Sequence, residues 1–121
     1  MLSSRKAGRS SSEARLDRLF RALGDRTRRA LLARLTHGPA MITELAAPFR
    51  LSLPAVSRHI RVLERARLVK RRVDGRVHHC ALRAQPLQQA EQWIVHYRRF
   101  WEGALDSLAR YVEDGHVKHH R

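Results

Sequence analysis

A change of hydrophobic period partway along the chain constrains the fold most. From Leu16 to Leu63 apolar residues recur at helical spacing. Between Val69 and Leu82 they alternate instead, around an Asp74-Gly75 pair that signals a hairpin turn. From Pro86 to about Asp114 the helical period returns. Such a chain must build its core from helices and lay one ribbon beside it. The expected fold is mainly α with a small β-hairpin, in the order α-α-α-α-β-β-α.

Capping and breaking residues place the joints. Ser10 and Glu13 have capping-box spacing, so a first helix should start near Ser10, carry Leu16, Leu19, Phe20 and Leu23, and stop at Gly24. Asp25 caps a second helix with Ala30, Leu31, Leu32 and Leu35 on one stripe, ended by Gly38-Pro39. A short third helix covers roughly Ile42 to Phe49, with Leu45 and Ala46 inward and Pro48 limiting it. Arg50-Leu51 is the turn. Ser52 then caps a fourth helix with Pro54 in its first turn, where a missing N–H costs little. Arg67 stands where glycine would end that helix more easily. Either it takes a left-handed conformation, or the chain turns differently. The expected organisation is a flexible basic tail over 1–9, one domain over 10–114 and a basic, His-rich tail over 115–121.

The charge narrows the partner. Twenty-five Lys and Arg oppose 11 Asp and Glu, leaving +14. That balance favours a polyanion through counterion release and steering. No apolar run approaches the roughly 18 residues of a membrane span. The first residues, Met1 to Ser12, lack the apolar segment of a signal peptide. The lone Cys80 excludes an internal disulfide framework. The expectation is a cytoplasmic protein with no membrane partner.

The charge also has a pattern. Around the fourth helix Val56, Ile60 and Leu63 share one sector, which should face the core. Pro54, Arg58, Arg61 and Arg65 fall opposite, with Ser57 beside them. Guanidinium groups there can bind guanine edges or phosphates, and a short hydroxyl lets the backbone approach. From Arg50 to Arg83 there are ten basic residues and only two acids, Glu64 and Asp74. A lone charge run is usually a solvated surface. This one coincides with the exposed helix face and the hairpin, which favours DNA contact. Arg76 sits at the hairpin tip, suited to a minor groove or a phosphate, and Arg72 lies on the same ribbon. Two short helices, a tight turn, a basic helix and a basic hairpin make a helix-turn-helix with a wing.

Four segments resemble the ArsR/SmtB-type repressors. They are the run from Leu19 to Leu32, Thr43-Glu44-Leu45-Ala46, Pro54 to Glu64, and Asp74-Gly75-Arg76. The resemblance covers about residues 15 to 113. It implies a homodimeric winged-helix repressor of an inverted-repeat promoter site. It also implies that Leu53, Pro54, Ser57 and Arg58 occupy base-reading positions. His59 adjoins them nearer the core edge, where a packing or phosphate role is expected. Metal-sensing members carry a cysteine pair on the third helix, which is absent around Thr43 to Ala47. Others carry ligand sets on the last helix. Here His96, Glu102, Asp106, Glu113 and His116 do not reproduce that spacing.

The last helix repeats Leu87, Ile94, Trp101 and Leu108, with Ala90, Tyr97, Ala104 and Tyr111 as a second row. Trp93 and Phe100 widen this face. It either closes the monomer core or forms a dimer interface with the first helix; the amount of aromatic surface favours the dimer. The expected interface residues are Leu16, Leu19, Phe20, Leu87, Ile94, Tyr97, Trp101, Leu105 and Leu108. A two-fold pair would set its reading helices about 34 Å apart, one turn of B-DNA.

No phosphate-binding glycine loop, metalloprotease motif or nucleophilic triad is present, so no catalytic residues and no cofactor are expected. His78 and Cys80 share a strand face, which is too few ligands for a tetrahedral site, so no metal site is assigned. A small-molecule or metal inducer, or a redox role for a half-buried Cys80, remains open. The alternative from another class is an architectural protein that coats nucleic acid without sequence preference.

Overall fold

The computed structural model describes the backbone of residues 2–119 and the side chains of residues 11–115. Two compact units divide the chain, Met1–Ala90 and Glu91–Arg121. The first holds helix α1 (Leu2–Leu23), helix α2 (Arg26–Leu35), strand β1 (Ala40–Met41), helix α3 (Ile42–Ala46) and a 3-10 turn (Ala47–Phe49). Helix α4 (Leu53–Arg65) and strands β2 (Val69–Asp74) and β3 (Val77–Leu82) follow. The last helix, α5 (Gln85–His119), begins there and supplies the second unit.

α1 starts eight residues before the capping signal at Ser10, at Leu2. Ser10 is therefore inside the helix and not a cap, and the expected tail over 1–9 is helical from Leu2 onward. The preceding segment has no proline to break a helix, and Arg5, Lys6 and Ala7 are good helix formers that offset the glycine at Gly8. At the other end the backbone is helical to His119, where a tail over 115–121 was expected. The side chains of His116 and His119, and all of Met1, His120 and Arg121, lie outside the described residues.

α2 begins at the expected cap, with Asp25 Oδ2 accepting from Arg28 N at 3.0 Å. Pro48 shortens α3 as expected, and Arg50 closes the 3-10 turn at φ 53°. Arg67 does hold the left-handed conformation, at φ 61°. Its N–H donates to Glu64 O and that of Leu68 to Leu63 O, both 2.9 Å. This is a Schellman ending made without glycine. Leu63 and Leu68 are both fully buried beneath it.

The sheet has three strands in the order β1-β3-β2, all antiparallel. β1 adds Ala40 opposite Cys80 and Met41 opposite His79. Two residues are too few to show alternation, so this strand was not legible in the sequence. Leu19, Leu31, Leu45, Val56, Ile60, Leu63, Leu68 and Cys80 form the centre of the core, each at most 1% exposed. Helices α1 to α4 and β3 all contribute to it.

The second unit is helical. Among its described side chains, Trp93, Ile94, Tyr97, Phe100, Trp101, Leu105, Leu108, Tyr111 and Val112 are exposed. Gly103 sits inside the continuous helix with open space around it. No described helix is long and apolar enough to cross a membrane.

Candidate nucleic-acid interface

The reading helix is built from its cap outward. Ser52 Oγ accepts from Ala55 N at 3.3 Å, and Pro54 occupies the first turn. Val56, Ile60 and Leu63 are 0% exposed and anchor the inner face. That anchoring leaves Pro54, Arg58, Arg61 and Arg65 exposed on the outer face, with Ser57 half-buried at its edge. Leu53 is 49% exposed. An exposed apolar side chain at this position can meet a thymine methyl.

The wing forms by the alternation of β2 and β3. Asp74 pairs with Val77, so the two loop residues are Gly75 and Arg76. Gly75 takes φ 63° and Arg76 an ordinary negative φ, the pattern of a type II′ hairpin. The turn is thus one residue later than the Asp-Gly signal. Arg76 still stands exposed at the tip, and Arg72 is exposed on β2 opposite His79.

Two arginines hold these elements in place. Arg71 shares the inward face of β2 with Val69, and its side chain is only 14% exposed. Its Nη2 lies 2.7 Å from Glu64 Oε1 on α4, and its Nη1 is 3.1 Å from His78 Nδ1 on β3. Arg71 therefore ties the wing to the reading helix. Arg28 does the same on the other flank. Its Nε and Nη2 donate to the carbonyls of Ala22 and Arg21 at the end of α1, both 2.8 Å. Its Nη1 is 3.3 Å from His59 Nδ1. His59 also lies 3.8 Å from Asp25 Oδ2, the cap of α2. His59 is thus a packing residue that joins α4 to α2. The Arg28 backbone N–H, ahead of the Arg28 and His59 charges, holds the Asp25 carboxyl below the usual carboxylate range, against a smaller opposing effect of burial. Sequence reasoning missed both positioning arginines. In a run of cations nothing marks which ones turn inward.

Leu53, Pro54, Ser57, Arg61 and Arg76 line one groove of about 470 Å³ between the start of α4 and the wing. Arg58, Arg65 and Arg72 are exposed outside it. Cys80 is 0% exposed rather than half-buried, and burial pushes its thiol up, away from the reactive thiolate. Among the described residues no three His, Cys, Asp or Glu side chains are grouped to hold a metal ion.

The expected interface residues separate into two sets. Leu19 is 1% exposed, so its side chain is consumed by the monomer core and has no surface for a partner. Leu16, Phe20 and Leu87 are half-buried against that core. Ile94, Tyr97, Trp101, Leu105 and Leu108 are exposed.

A helix-turn-helix domain model matches residues 23–72. The chain is similar to the HTH-type transcriptional regulator Rv2034 of Mycobacterium tuberculosis, 40% identical over 97 residues, covering 80% of this chain and 88% of that protein. It is 27% identical over 82 residues to the transcriptional repressor SdpR of Bacillus subtilis, covering 68% and 91%. The crystal structure of the ArsR family transcriptional regulator RHA00566 superposes with a TM-score of 0.71 at 40% identity, covering 74% of this chain and 93% of that one. With a helix-turn-helix, a wing and these relatives, the chain belongs to the ArsR family of helix-turn-helix transcriptional regulators.

Proposed function

We propose that this chain is a homodimeric repressor that binds an inverted-repeat operator in double-stranded DNA, in the cytoplasm and without a cofactor. One observation carries the reading. A capped helix with its inner face fully buried presents Arg58, Arg61 and Arg65 outward, beside a hairpin tipped by Arg76. That arrangement suits a helix in the major groove and a wing at the backbone or minor groove. Leu53, Pro54, Ser57 and Arg58 take base edges; Arg61, Arg65, Arg72 and Arg76 take phosphates or the neighbouring groove. His59 positions α4 through Arg28 and Asp25. The similarity to a named repressor favours repression over activation.

The dimer reading rests on α5. Its exposed aromatic and aliphatic stripe is far larger than isolated surface residues explain. A second copy of the same stripe is the natural cover, and a two-fold pair fits a palindromic site.

The test is binding of the chain to its own upstream region and to random duplex across a salt series, with footprinting. A regulator favours its operator by a large ratio, whereas an architectural coat binds both alike. Arg58→Ala should weaken operator binding by about 1–3 kcal/mol and relax base preference at one position. Equal losses on operator and random DNA would remove Arg58 from base reading.

A further inference from the structure

The helical period of α4 divides its surface into four sides. Val56, Ile60 and Leu63 face the core, and Arg58, Arg61 and Arg65 face out. Leu53, Ser57 and Glu64 fall on one flank, the flank of the wing, since Glu64 pairs with Arg71 of β2. Ala55, His59 and Val62 fall on the other flank, facing α2 and α1, since His59 meets Arg28 and Asp25. A helix lying in a major groove has a phosphate strand on each side of it. The wing serves one side only.

On the second flank lies a hollow of about 370 Å³ lined by Arg18 and Arg21 of α1, Arg28 of α2, and Val62 and Arg65 of α4. Four arginines line it, and no acidic residue does. A smaller hollow shares Arg18 and Arg65 and adds Arg15 and Arg67. Arg28 is fixed there by the carbonyls of Ala22 and Arg21. Arg18, Arg21 and Arg65 are exposed. Cationic residues gathered around one hollow with no carboxylate among them favour an anion as its occupant. A planar guanidinium also matches phosphate geometry better than an ammonium does.

We propose that this hollow grips the sugar-phosphate backbone on the side of the major groove away from the wing, so that α1 belongs to the DNA-binding surface. The proposal rests on the DNA-binding reading above. It names contacts that carry no sequence information: Arg18 and Arg21 hold phosphates, Arg65 spans from the outer face of α4 to the same strand, and Arg28 positions the pocket. The occupant is a phosphodiester of the bound duplex.

The experiment compares the wild-type chain with Arg18→Gln, Arg21→Gln and the double variant, on operator and random duplex, from low to high salt. Both residues are exposed, so the core is untouched. Losing two phosphate contacts should lower the salt slope by about 1.8 and weaken binding on the order of tens-fold at about 0.1 M salt. The loss should be equal on operator and random DNA, with the specificity ratio unchanged. Sedimentation of the same variants should show the wild-type association state. A wild-type slope in the double variant overturns the proposal, as does a loss confined to the operator or one explained by a changed association state. Charge reversal, Arg18→Glu, should weaken both duplexes further than Arg18→Gln; equal affinity of these two variants also overturns it. If the wild-type chain itself shows no salt-dependent affinity for duplex DNA, the DNA-binding reading fails. If it does and only the variants are unaffected, the α1 contact fails alone.

Discussion

Removing the Glu64 carboxylate tests whether the wing is held by charge. Glu64 Oε1 and Arg71 Nη2 are 2.7 Å apart, with side chains 32% and 14% exposed. At an effective dielectric constant of about 20 the attraction is roughly 6 kcal/mol at this separation. Most of that is offset by the desolvation of both groups. An exposed pair contributes up to about 1 kcal/mol, whereas breaking a buried one costs about 3–5 kcal/mol. This pair lies between, so Glu64→Ala should cost about 2 kcal/mol. The reason is specific: Arg71 keeps only His78 at 3.1 Å, and its buried Nε has no acceptor among the described residues. Arg71→Met removes the stranded charge and fills the space with an apolar chain. Adding Glu64→Ala to Arg71→Met should then cost far less, giving a coupling of about 1–2 kcal/mol. The assay is urea unfolding at fixed protein concentration, because a dimer's stability depends on that concentration. Additivity within about 0.5 kcal/mol would refute the tie. A folded Glu64→Ala chain should also bind operator more weakly, since its wing is no longer tied to α4.

Three further outcomes are expected. Arg76→Ala should lower the salt slope of DNA binding by roughly one unit; an unchanged slope takes the wing tip out of contact. Trp101 is 54% exposed, and covering that exposed surface contributes about 2–3 kcal/mol in each of two copies, so Trp101→Ala should sediment as monomer. A dimer of unchanged stability would refute the α5 interface. Arg67→Gly should raise stability by about 0.5–1 kcal/mol, because the left-handed cost of about 1–2 exceeds glycine's entropy loss on folding. A lower denaturation midpoint would contradict this account of the α4 ending.

The outer face of α4 and the wing tip were legible because they depend on local period and turn chemistry. Val56, Ile60 and Leu63 define an inner side by spacing alone, and Arg58, Arg61 and Arg65 follow on the other. The start of α1 was misplaced because a capping signal marks where a helix can begin, and the segment before it holds no proline to stop the helix from running through. Leu19 was assigned to a partner because a helix stripe does not say which of its residues the monomer itself covers.

By itself the sequence determined the order of helices and ribbon, the guanidinium face of α4, and the apolar stripe of α5. Each follows from periodicity, which short-range sterics and solvent impose on any chain. Tertiary structure alone decided the fate of each cation. Arg28 and Arg71 turn inward to carbonyls, a carboxylate and imidazoles, while Arg18 and Arg21 join Arg65 around one hollow. Those partners lie on other elements, so their proximity exists only once the core has brought the helices together.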